Sequence, residues 1–236
     1  MQFGEWWSSQ SLAVDGAYKL IEMGGPVVVV LVVMSIIALA VGLLKLAQFV
    51  WRGVGRAKGV DAALTAWVGG DARAAISGLS HRRNPTARVV SKAMAAMAAG
   101  IEDAVVREDA ERIALRELSD LKANLRIIEA TSQLAPLIGL FGTVIGMMGA
   151  FQALQSAGTD ADPAALAGGI WVALITTAVG LAVAIPASFA LYWFEGRIDR
   201  ERTQMEISLT QVLTRVPDGA GAPGSGQPAA EPIRNS

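Results

Sequence analysis

Three groups of residues in this 236-residue chain have the types and spacing from which chemistry is built. The first is acidic: Glu102, Asp103, Glu108, Asp109 and Glu111, a set that suggests acid–base work or metal binding. Arg107, Arg112 and Arg116 interleave with it at helical spacing, and that pattern describes a salt-bridged solvent face. The second is His81 with Arg82 and Arg83, a basic turn suited to lipid headgroups or to solvent. His81 is the single histidine and there is no cysteine, so multi-histidine and thiolate metal sites, disulfides and thiol catalysis are excluded within one chain. The third group is three hydroxyls, Thr143, Thr176 and Thr177, set in long apolar stretches. No Walker loop, dinucleotide fingerprint or nucleophile elbow is present, so neither an enzyme nor a bound cofactor is expected.

The elements that must position these groups are membrane spans. Of the residues, 53% are hydrophobic and 17% charged, against roughly 25% charged in soluble domains. The apolar residues gather in three blocks, Pro26 to Leu44, Leu134 to Leu154 and Ala167 to Phe194. The first is an uncharged run of about 28 Å at 1.5 Å per residue, enough to cross a bilayer, and it lacks the basic n-region of a signal peptide. Orientation follows from Lys and Arg, which are retained on the cytoplasmic side. Residues 52–132 carry thirteen, the chain after Phe194 five, the first 25 residues only Lys19, and the 155–166 loop none. These counts predict a multi-pass membrane protein with its N-terminus outside and its C-terminus in the cytoplasm. A net charge of −1 gives no field that would recruit nucleic acid.

The expected fold is all-α: three transmembrane helices with long cytoplasmic helical extensions. Residues 1–25 form an outside segment, with Trp6 and Trp7 at the interface and a surface helix over Gln10 to Met23 before the Gly24-Gly25-Pro26 break. Helix 1 spans 26–51, a cytoplasmic helical domain 52–132, helix 2 133–154, an outside loop with Asp160 and Asp162 155–166, and helix 3 167–194. A cytoplasmic helix follows over 195–216, and 217–236, rich in Gly, Pro, Ala and Ser, is expected to be disordered. In the cytoplasmic part, GVDAALTAWVGG and DARAAISGL read as short helices each closed by Gly, before the turn SHRRNP. From Asp103 to Leu154 only Pro136 interrupts a continuous helical pattern, which would run about 78 Å. Asp162 and Pro163 form an N-cap and N1 pair for the third span, with Pro186 a kink inside it.

Spans two and three are rich in Gly and Ala. Ala135, Gly139, Gly142, Gly146, Gly149 and Ala153 recur at steps of four and three, as do Gly169, Ala173, Thr177, Gly180, Ala184 and Ala187. Such seams let backbones approach closely. Two readings stand: helix packing within one subunit, or spans of several copies lining a central passage with Thr143, Thr177 and Thr176 as its polar groups. A threonine hydroxyl in a membrane helix also bonds back to its own helix. From Leu134 to Phe194 the only carboxylates are the loop residues Asp160 and Asp162, and there is no Lys, Arg or His. A proton relay needs titratable groups or water chains, so if protons cross, a partner is expected to supply the carboxylate.

The stretches IEATSQLAPLIGLFGTVIGMMGAF (Ile128–Phe151) and GGIWVALITTAVGLAVAIP (Gly168–Pro186) resemble the MotA/TolQ/ExbB proton-channel family, and the likeness covers most of residues 24–210. Three spans resemble its ExbB and TolQ branches more than the four-span MotA branch, ExbB most of all. The resemblance implies a ring of subunits, typically a homopentamer, around single-span ExbD- or TolR-like partners that each bring an aspartate. It implies coupling of proton flow to a TonB-like protein for biopolymer transport, with Thr143 and Thr177 as pore threonines and Thr176 an additional hydroxyl. One position departs: these relatives often carry a glutamate where this chain has Val172. A TolQ-like role in envelope maintenance and a non-conducting membrane scaffold are the alternative readings.

Overall fold

The computed structural model describes residues 4–55, 58–80, 82–157 and 163–214. His81, the loop aspartates Asp160 and Asp162, and the 217–236 tail lie outside them, as do the side chains of Trp6 and Trp7. Within the described residues the elements are α-helices: α1 Gly4–Arg52, α2 Lys58–Val68, α3 Ala72–Ser80, α4 Pro85–Ala98, α5 Asp103–Lys122, α6 Leu125–Ala157 and α7 Pro163–Thr214. Three stretches are long and apolar enough to cross a membrane, Gly25–Arg52, Leu125–Ser156 and Leu166–Thr214. Among the described residues the protein is all-helical, with three helices that could span a membrane.

α1 is two helices joined at Gly25, whose φ of 62° and ψ of −159° only glycine adopts without strain. The break thus falls within the Gly-Gly-Pro expected to make it, although the preceding helix begins at Gly4, earlier than Gln10. Pro136 and Pro186 sit inside α6 and α7, and both helices continue through them.

The chain divides into two compact units. One comprises the residues up to Val54 together with 118–200 and holds the three spans. Its centre is the contact of α6 with α7, covered by Val28 and Leu31 of α1, both fully buried. Leu31 packs with Ala135 and Ala184, flanked by Val27, Ile138 and Val183. Further along, Phe49, Leu121, Leu125, Ile128, Leu191, Phe194 and Ile198 form a second apolar cluster. Phe49 and Phe194 meet there edge to face at 5.2 Å. Val33, Ile36, Leu39 and Leu43 of the same span are exposed, as a lipid-facing surface requires.

The expected continuous helix from Asp103 to Leu154 is interrupted. α5 ends at Lys122 and α6 starts at Leu125, with Asn124 in the left-handed region at φ 63°. Asn tolerates that conformation and commonly ends helices this way. The deciding contact comes from α1. The buried Lys45 ammonium donates to the carbonyls of Asp120 at 3.3 Å and Leu121 at 3.1 Å, and to Gln48 Oε1 at 2.8 Å. Those are carbonyls that an uninterrupted helix would pair with Asn124 and Leu125. A cation at a helix C-terminus is also favoured by the helix dipole.

The other unit comprises residues 55–117 and the chain from Glu201. Gly69 and Gly70 close α2 as expected, but Gly78 lies inside α3, which runs on to Ser80. Asp71 Oδ1 accepts from Ala74 N to open α3, and Asn84 Oδ1 accepts from Ala87 N to open α4, with Pro85 in its first turn. The buried Glu201 carboxylate accepts from Gly55 N at 2.7 Å, Thr86 Oγ1 at 2.7 Å and Thr86 N at 3.3 Å. Trp67 donates its indole N–H to the Val212 carbonyl at 3.2 Å. Glu102, Asp103, Glu108, Asp109 and Glu111 are exposed, and Arg112 pairs with Asp109. This is the solvated charged face that the interleaved arginines predict.

Candidate functional site

The small residues of α6 and α7 meet face to face, and their order makes the two helices antiparallel. A Cβ added at Gly180 would lie 2.6 Å from the Ala135 carbonyl oxygen. One at Gly139 would lie 2.9 Å from the Thr176 carbonyl oxygen, and one at Gly142 would lie 2.8 Å from Thr176 Cβ. At Gly146 the nearest atom would be Ala173 Cβ at 3.2 Å, and at Gly169 it would be Ala150 Cβ at 2.4 Å. Glycine is needed at Gly139, Gly142, Gly169 and Gly180 because backbone or Cβ atoms already fill the space, while the Gly146 contact is tight. The cost of a helical glycine, about 0.5–1 kcal/mol relative to alanine, is offset by this approach.

Gly149 stands apart. It is exposed and a Cβ there would meet nothing within 4 Å. Ala150, 6% exposed, takes the place in the contact that the alternating steps give to Gly149. The signal was in the spacing: two steps of four from Gly142 reach Gly146 and Ala150 along one helical face.

The three threonines separate into different environments. Thr176 is 1% exposed, sealed between α7 and Gly142 of α6, with Val27 of α1 also against the Gly142 position. Its hydroxyl donates to the Ala173 carbonyl at 2.7 Å and reaches the Gly139 carbonyl at 3.3 Å. Within the protomer Thr176 thus presents no surface. Thr177 is half-buried and its hydroxyl reaches the same Gly139 carbonyl at 3.4 Å. Thr143 is half-buried and donates to Leu140 of its own helix at 2.6 Å, the local back-bonding open to any membrane threonine. The structure thus brings Thr176 and Thr177 together at Gly139 and leaves Thr143 one turn away on α6. Val172 is half-buried one turn before Thr176.

Around these hydroxyls the two helices expose Leu140, Phe141, Val144, Met148, Trp171 and Leu174. The apolar groove between α1 and α7, about 420 Å³ and lined by residues such as Leu39, Leu43, Val183 and Pro186, contains no titratable side chain. Charged groups gather instead around a recess of about 380 Å³ beside the α5–α6 break, where Lys122, Arg126 and Glu129 face Glu195 and Asp199 of α7. Leu134–Leu154 and Ala167–Phe194 thus contain no carboxylate, Lys, Arg or His.

Comparison with known proteins gives consistent matches. Residues 81–207 match the MotA/TolQ/ExbB proton channel family. A putative biopolymer transport protein ExbB homolog of Methanothermobacter thermautotrophicus is 40% identical over 139 residues, covering 58% of this chain and 48% of the relative. The biopolymer transport protein exbB1 of Vibrio cholerae is 34% identical over 111 residues, 47% of this chain and 49% of the relative. The Tol-Pal system protein TolQ of Pseudomonas aeruginosa is 43% identical over 89 residues, 37% of this chain and 38% of the relative. The chain spans about half the length, or less, of these curated relatives.

Proposed function

The chain belongs to the MotA/TolQ/ExbB proton channel family, and from that membership we propose that it is a stator-like subunit of a proton-conducting inner-membrane complex. Five copies form a ring in which α6 and α7 surround a central passage. A single-span ExbD-like partner places an aspartate inside it, and proton flow past that aspartate moves the partner and drives a TonB-like protein in outer-membrane transport. The N-terminus is periplasmic and the C-terminus cytoplasmic, as the distribution of basic residues favours.

One observation carries this reading: the apolar blocks Leu134–Leu154 and Ala167–Phe194 hold half-buried hydroxyls at Thr143 and Thr177 but no carboxylate, Lys, Arg or His. An ionised carboxylate among the exposed apolar side chains is costly, and protonation removes that cost. A partner aspartate is therefore stable beside the hydroxyls when charged and beside the apolar side chains when neutral. That difference gives protonation a direction of motion to drive.

Replacing Thr143 and Thr177 together with Val tests the assignment in vesicles containing the chain and its co-encoded partner. Partner-dependent proton flux is expected to disappear; flux at the wild-type rate refutes the passage. The presence of TolQ among the relatives favours one second reading, the same machine in envelope maintenance. Neighbouring genes for TolR and TolA, as opposed to ExbD and TonB, would select it.

A further inference from the structure

We propose that Thr176 is a positioning residue, a buried hydroxyl that decides whether the hydroxyl of Thr177 is tied to the protein or turned toward the passage. The inference rests on the proposed passage and adds to it a residue that the passage does not touch.

The argument is one of counting donors and acceptors. The Thr176 hydroxyl has one hydrogen and two carbonyls within reach, Ala173 at 2.7 Å and Gly139 at 3.3 Å. The Thr177 hydroxyl reaches the same Gly139 carbonyl, at 3.4 Å. A carbonyl oxygen has two lone pairs, and in the regular pattern of α6 one of those on Gly139 accepts the N–H of Thr143. One lone pair remains for two hydroxyls. Both Gly139 contacts are longer than the roughly 2.7–2.8 Å usual for O–H···O bonds, and the 2.7 Å contact with Ala173 is the bond Thr176 donates in this structure.

Two arrangements follow. With Thr176 donating to Gly139, the Thr177 hydroxyl is released and can donate to a carboxylate in the passage. With Thr176 donating to Ala173, Gly139 is left to Thr177, which is then tied back. Thr176 is satisfied in both arrangements, so exchange between them strands no buried polar group. Ala173 is also the carbonyl that accepts the backbone N–H of Thr177 in the regular pattern of α7. The acceptors of Thr176 are therefore the carbonyls that hold the backbones of Thr143 and Thr177, the two hydroxyls of the proposed passage. Enclosure by Gly142 and Val27 keeps water from taking over either bond.

The test is proton flux into vesicles containing the chain and its co-encoded single-span partner, read with a pH-sensitive dye, for T176V, T176S, T177V and the T176V/T177V pair. Valine keeps the shape of threonine without the hydroxyl, and leaves Gly139 permanently to Thr177. T176V is expected to lower flux about fivefold, the worth of one net hydroxyl hydrogen bond, and T176S to restore it. In the T177V background, T176V is expected to have no further effect, because its target is gone. If T177V lowers flux while T176V does not, or if the two effects multiply, the positioning role fails and the passage stands. Wild-type flux in T177V overturns the role of Thr177 in the passage, and the positioning role with it. Should T176V fail to assemble with the partner, T176S decides alone: it keeps the hydroxyl and loses the methyl, so flux as low as that of T177V overturns the proposal.

Discussion

The seam between α6 and α7 makes the same substitution stabilising at one glycine and destabilising at another. Alanine at Gly180 would place its Cβ 2.6 Å from the Ala135 carbonyl oxygen and 3.1 Å from Gly139 Cα, where ordinary contact begins near 3.4 Å. Both neighbours are backbone, so no side chain can swing away and the helices must separate by a large part of the difference. Overpacking of this kind costs about 1–3 kcal/mol, against about 0.5–1 kcal/mol gained from replacing glycine inside a helix. The net expectation is a loss of up to about 2.5 kcal/mol, equivalent to melting up to about 10 °C lower for a chain of this size. Alanine at Gly149 meets nothing within 4 Å, so the helix gain stands alone and melting should rise by about 1–4 °C. Thermal unfolding of the purified chain in detergent, followed by far-ultraviolet circular dichroism, measures both. Equal shifts for Gly180→Ala and Gly149→Ala, or a reversed order, would refute the claim that close α6–α7 contact is what selects glycine. Lower stability for Gly149→Ala only after the ring assembles would instead mark Gly149 as a contact between copies.

Three further outcomes follow from individual contacts. Lys45→Met keeps the stem but strands the Asp120 and Leu121 carbonyls, so it should cost about 1–3 kcal/mol. Hydrogen exchange at Asn124 and Leu125 would change with it, and exchange identical to wild type would remove Lys45 as the cause of the helix break. Asn124→Gly should be neutral within a few tenths of a kcal/mol, whereas Asn124→Ala should lose about 1 kcal/mol or more because φ is positive there; equal melting of the two variants would contradict this. Glu201→Gln removes the charge from three hydrogen bonds and sets an amide donor against donors, for an expected cost of about 1.5–3 kcal/mol in chemical unfolding. An unchanged midpoint would mean that the carboxylate contributes nothing there.

The helical class and the three spans were legible in the sequence because they depend on local quantities: the length of apolar runs and the distribution of charge. The break at Gly25 was legible for a similar reason, since Gly-Gly-Pro constrains its own backbone. The break at Asn124 was not. Its local signal is one residue that tolerates positive φ, while its cause is Lys45, about 75 residues earlier, taking two carbonyls away from the helix.

The same division runs through the candidate site. Residue types alone identified small seams on both spans, three hydroxyls, and spans without carboxylates, because each of these is a count along the chain. Which face meets which neighbour is settled by where the helices approach, and that separated Gly149 from Ala150 and Thr176 from Thr177. Adjacent residues on a helix point about 100° apart, so the two neighbouring threonines share a sequence environment but not a spatial one. Sequence therefore determined that this membrane chain has hydroxyls and lacks a proton-carrying acid in its spans. Only the tertiary structure decided that one hydroxyl is sealed inside the protomer, competing with its neighbour for a single carbonyl.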